Sequence, residues 1–172
     1  MDRELREVAE RSGLVVLLGS GETLPSGRRV FDWLMRQLPV PVRVAILETP
    51  AGFELNSAQV AGRIGEFLRK HLQNYHPQVT IVPARKRGTP FSPDDPDIAT
   101  LIPGASLMLL GPGSPTYAVR QLEQSLTWHT MVACHRLGAT LVLSSAAAIA
   151  ASAYALPVYE IYKVGEDPQE AG

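Results

Sequence analysis

Apolar residues fall into two spacings along this chain, and the two alternate. Residues 14–18, 42–47, 79–82, 106–110 and 139–143 are short, nearly uninterrupted apolar runs, the pattern of strands covered on both faces. Between them the period lengthens. Residues 26–38 place Val30, Phe31, Leu34, Met35 and Leu38 at helical spacing, and Pro39 and Pro41 stop that helix. Asn56 or Ser57 can cap a second helix carrying Val60, Ile64, Phe67, Leu68 and Leu72.

Residues 85–97 are rich in Pro, Gly and Asp and read as loop, with a short helix over 94–101. A long helix is expected over 117–137, with Val119, Leu122, Leu126 and Val132 facing inward, and a small-residue helix over 146–152. Residues 156–164 have strand composition. Five apolar strands alternating with helices imply a mostly parallel sheet covered on both sides, in a single α/β domain spanning residues 1–172. Such sheets place their chemistry beyond the carboxyl ends of the strands, so the loops that follow the strands are the ones to read.

Composition narrows the picture. The 172 residues hold 16 Lys plus Arg against 17 Asp plus Glu, a net charge of −1. That balance lacks the electrostatic footprint of a nucleic-acid binder. Cys134 is the single cysteine, which excludes a disulfide framework and a CxxC metal or redox motif. No run approaches the ~18 apolar residues of a membrane span, and the amino terminus is charged from Asp2 onward. The expectation is a soluble cytoplasmic protein, with no nucleic-acid or membrane partner and no cofactor or metal.

Three loops can carry chemistry. Gly19-Ser20-Gly21-Glu22 follows the first strand, but Leu24 stands where a dinucleotide pattern needs its third glycine, so the turn fits a strand-to-helix connection as well as an anion site. Gly111-Pro112-Gly113-Ser114-Pro115 follows the fourth strand; its glycines let backbone approach a ligand, and Ser114 or Thr116 can cap the next helix. Leu143-Ser144-Ser145-Ala146-Ala147-Ala148 takes the fifth strand into a helix through a serine flanked by small residues. That is the composition of a nucleophile elbow, although Leu143 and Ala147 replace its usual glycines. A serine-rich helix cap is the alternative.

Taken in order, LLGSGE, AILETPAGF, LLGPGSPTYAVRQL and GATLVLSSAAAIA resemble the peptidase family S51 branch of the class I glutamine amidotransferase-like fold. That branch includes dipeptidase E and cyanophycinase. PVYEIYKVGED resembles a poorly characterised subgroup of it. The resemblance implies a flavodoxin-like three-layer α/β/α sandwich. It sets Ser145 in the nucleophile place, with the backbone N–H groups of Ala146 and Gly113 as oxyanion donors. Its chemistry would be acyl transfer through an acyl-enzyme on a small-molecule or short-peptide substrate. Glu48 and Ser114, after the second and fourth strands, are the candidates for contacting that substrate.

A serine nucleophile needs a base, normally His. His71 and His76 end the second helix, and His135 precedes the fifth strand, at the opposite edge of the sheet and roughly 15–17 Å from the elbow at ~3.3 Å per residue. His129 sits mid-helix. In the resembling family the His comes from a later strand that lies outside this sequence. The resemblance therefore implies a serine hydrolase relative whose site is inactive or completed by a partner. A non-catalytic module binding a small acidic ligand or a protein, and a nucleotide-binding domain using Gly19 and Gly21, are the other readings. A sheet without its last strands exposes a pairing edge, which a homodimer would cover.

Overall fold

The computed structural model describes residues 12–159 and 161. Five strands, β1 (Val15–Leu18), β2 (Arg43–Leu47), β3 (Gln78–Val82), β4 (Leu107–Leu110) and β5 (Thr140–Ser144), form one sheet in the order β1-β5-β4-β2-β3. All four pairings are parallel, as the near-continuous apolar runs require. The helices are α1 (Pro25–Met35), α2 (Ser57–His71), α3 (Pro96–Ala99), α4 (Pro115–Leu122), α5 (Leu126–Arg136) and α6 (Ala146–Ala150).

Strand side chains alternate between two cores. Val44, Ile46, Leu107, Leu109 and Val142 meet Phe31, Leu34 and Met35 of α1 and Ala61, Ile64 and Leu68 of α2. Ala45, Leu47, Met108, Leu110, Leu141 and Leu143 meet Ile98, Leu122, Met131 and Ala147 of the other helices. The result is the expected flavodoxin-like three-layer sandwich. Central β4 is buried along its whole length, whereas edge strand β1 is half covered. Val15 and Leu17, in register with Leu141 and Leu143, are 53% and 64% exposed.

Two expectations are corrected. The helix expected over 117–137 is two helices, broken at Glu123–Ser125 where Gln124 takes φ 55° and the Ser125 side chain caps α5 by accepting from the Trp128 N–H. Leu126, expected inside, is 39% exposed at the start of α5. In the strand-like run 156–164, Val158 and Tyr159 are helical and the Ile161 N–H reaches the Pro157 carbonyl. Pro157 has no N–H to give a ladder and suits a first helical turn. Residues 160 and 162–164 of that run lie outside the described residues.

Candidate active site

The carboxyl ends of β1, β4 and β5 bring the three loops to one edge of the sheet. Ser145 connects β5 to α6 with φ 53° and ψ −118°, a region that non-glycine residues rarely occupy and that costs about 1–3 kcal/mol. Hydrogen bonds hold it there. The Ser145 N–H donates to the Leu18 carbonyl at 2.8 Å, extending the β1–β5 pairing by one rung. Its own carbonyl accepts from the Ala148 and Ile149 N–H groups, which starts α6. Ala146 and Ala147 are 3% and 2% exposed, so the bend has no room for larger side chains.

Ser145 is half-buried and lines a pocket of about 180 Å³ with Gly113, Pro115, Ala146, Ile149, Val158 and Tyr159. Gly113, at φ 152°, belongs to the loop after β4, and a Cβ there would stand 1.9 Å from the Pro50 carbonyl oxygen. Only glycine allows that approach. The adjoining Ser114 N–H donates to the same oxygen at 2.9 Å, fastening this loop to the 3-10 turn Thr49–Ala51. The structure thus brings together Ser145, Ala146 and Gly113, all three placed at the site by the resemblance. The N–H groups of Gly113 and Ala146 donate to no acceptor among the described residues.

Ser114 and Glu48 sit elsewhere. Ser114 is 2% exposed and its side chain accepts from the Tyr117 N–H, capping α4. Glu48 is 3% exposed, and its Oε2 accepts from Ser57 Oγ at 2.8 Å and Arg85 Nε at 2.6 Å. It anchors the loop after β3 against the start of α2, outside the Ser145 pocket. The Arg85 guanidinium also lies over the Phe91 ring, 4.4 Å from its centre.

None of the four histidines lines the Ser145 pocket. His71 ends α2 with its ring against Phe67, His76 follows at φ 45°, His129 is exposed on α5, and His135 Nδ1 lies 3.1 Å from the Ala139 carbonyl. The Cys134 thiol is pushed upward by burial on α5. Among the described residues no helix is long and apolar enough to cross a membrane.

Two features escaped the sequence reading. Ser144 is fully buried and its Oγ donates to Glu22 Oε2 at 2.7 Å, tying the elbow to the loop after β1. The clue available was positional: both residues follow apolar runs toward the same sheet edge. The second is an aromatic group beside the pocket. Phe53 meets the Tyr117 ring at 5.2 Å and the Tyr159 ring edge-on at 4.8 Å.

Neither a protein-family model nor a curated protein matches the chain. Among solved structures it is similar to a peptidase from an acI-B1 actinobacterium, at 23% identity and a TM-score of 0.66, over 80% of this chain and 56% of that one. It is also similar to a candidate Peptidase E protein from Listeria monocytogenes EGD-e, at 15% identity and a TM-score of 0.51, over 80% of this chain and 61% of that one. The chain spans less than two thirds of the length of either, and the likeness is one of fold.

Proposed function

We propose that this chain carries the acylating half of an S51-like serine hydrolase site, with Ser145 as nucleophile and the Ala146 and Gly113 N–H groups as oxyanion donors. The observation that carries the reading is the backbone of Ser145. A serine held at φ 53° by hydrogen bonds on both sides and lining a pocket has the form of an elbow that presents a nucleophile. The peptidase names of both structural neighbours support the same lineage.

In the proposed reaction Ser145 Oγ forms a bond to a carbonyl carbon, and the carbonyl oxygen gains negative charge facing the two N–H groups. The leaving group departs, giving an acyl-serine that water later cleaves. Amide cleavage needs a group to take the Ser145 proton and deliver it to the departing amine. No histidine of the pocket fills that role. An activated ester does not need it, because p-nitrophenolate leaves unprotonated and the serine proton passes to solvent.

Mixing the protein with p-nitrophenyl acetate and with a p-nitroanilide tests this. The expected result is a burst of up to one equivalent of p-nitrophenolate, no p-nitroaniline turnover, and loss of the burst in Ser145→Ala. A burst retained in folded Ser145→Ala protein contradicts the proposal. The pocket without a base also favours a second reading, a non-catalytic module that holds a short peptide or small molecule. A ligand whose affinity survives Ser145→Ala, with no acyl adduct on wild-type protein, is the outcome belonging to that reading.

A further inference from the structure

We infer that the Ser145 pocket selects an apolar acyl chain and disfavours an acidic one, a specificity that rests on the acylation proposed above. Four side chains supply the walls: Pro115 at the start of α4, Ile149 of α6, and Val158 and Tyr159 from the segment beyond. None of the described residues that line the pocket carries a charge. The Tyr159 ring is backed edge-on by Phe53, which in turn packs on Tyr117. The polar end of Tyr117 is occupied, because its hydroxyl donates to the Arg85 carbonyl at 2.8 Å. The Phe53 and Tyr117 rings thus add aromatic surface behind Tyr159.

Among the described residues, two arginines of the loop after β3 are already paired. Arg85 is paired with Glu48 at 2.6 Å and stacked on Phe91. Arg87 donates to the Glu123 carbonyl and lies 3.4 Å from an Asp94 carboxylate oxygen. The charge that the structure attaches to the elbow is an anion, Glu22, on the Ser144 hydroxyl. An acyl chain ending in a carboxylate would lose water on entering this pocket and meet no opposite charge among the described residues that line it. The pocket of about 180 Å³ is smaller than the roughly 300–1,000 Å³ of drug-sized ligand sites; its scale is that of a short aliphatic chain. Burial of each methylene is worth about fourfold in binding.

The experiment is an acyl series: p-nitrophenyl acetate, butyrate and hemisuccinate. Acylation rates are corrected for each ester's reactivity with hydroxide and for its reaction with Ser145→Ala protein, and the adduct is mapped by mass spectrometry. Butyrate is expected to exceed acetate by about fifteenfold, from two buried methylenes, and to exceed hemisuccinate by at least as much. Ile149→Lys should lower the butyrate rate and raise the hemisuccinate rate. Val158→Lys is the second variant should the first fail to fold, since it lies outside the regular helices around the sheet. Hemisuccinate acylating Ser145 as fast as butyrate overturns the inference and leaves the nucleophile assignment standing. No adduct on Ser145 with any ester overturns both.

Discussion

Ser144 Oγ donates to Glu22 Oε2 across 2.7 Å, joining the last residue of β5 to a loop 122 positions earlier in the chain. Ser144 is fully buried, so Glu22 is the partner that satisfies its hydroxyl next to the bend at Ser145. Glu22→Ala leaves a buried donor unsatisfied and should destabilise the fold by about 1–3 kcal/mol. Glu22→Gln keeps an acceptor oxygen and should cost less than Glu22→Ala. Pairing Ser144→Ala with Glu22→Ala should cost less than the two single losses summed. Urea denaturation of these four variants, Ser144→Ala alone included, checks this ordering; strict additivity would show that the bond carries no coupling.

Gly113 is required by its neighbours rather than by its own loop. A methyl group there would fall 1.9 Å from the Pro50 carbonyl oxygen, at a φ of 152° that disfavours any side chain. Gly113→Ala should cost about 1–3 kcal/mol and push the loop after β4 away from the turn at Thr49–Ala51. The loss should appear in denaturation, together with a slower burst from p-nitrophenyl acetate. Unchanged stability and an unchanged burst would contradict the close approach.

Glu48 and Arg85 form an ion pair between the loops after β2 and β3, with side-chain exposures of 2% and 28%. Arg85→Ala strands a buried carboxylate and should cost about 3 kcal/mol, the low end for a broken buried pair because water reaches the arginine side. Glu48→Gln in the Arg85→Ala background should recover part of that loss. The Ser57 hydroxyl can still donate to the new amide oxygen. Equal stability of the single and double variants would place the pair's role elsewhere.

Alkaline pH should loosen the protein. Burial raises the Cys134 thiol above its ordinary 9.0 and the Tyr117 hydroxyl above its ordinary 10.0. For each group the folded form holds its proton more tightly than the unfolded chain. The stability each contributes is therefore complete below the unfolded value and lost as pH rises through the folded one. Unfolding free energy measured across pH 8–11 should fall, and Cys134→Ala should flatten the part of the decline that begins near 9. A flat profile in the wild type would contradict both shifts.

The central strands were legible because a strand buried on both faces must be apolar at every position, as β4 is. The break at Gln124 was not legible. Leu122 and Leu126 share one helical stripe, and the competing signal was the Ser125 cap, a side-chain hydrogen bond to the Trp128 N–H. The serine bend was visible as composition, since only small residues suit a chain that turns so tightly. Its anchoring to Glu22 depends on a contact that no local pattern encodes. Glu48 was visible as an acid at the right sheet edge, but its commitment to Arg85 rests on the separate placement of the loop after β3.

The most direct test is to treat the folded protein with a fluorophosphonate and map the adduct by peptide mass spectrometry. An elbow serine should be modified in preference to every other serine. The adduct should sit on the peptide bearing Ser145 and should vanish in Ser145→Ala and in urea-unfolded protein. An unmodified Ser145 in natively folded protein, or an adduct on other serines at comparable yield, would contradict its assignment as a presented nucleophile.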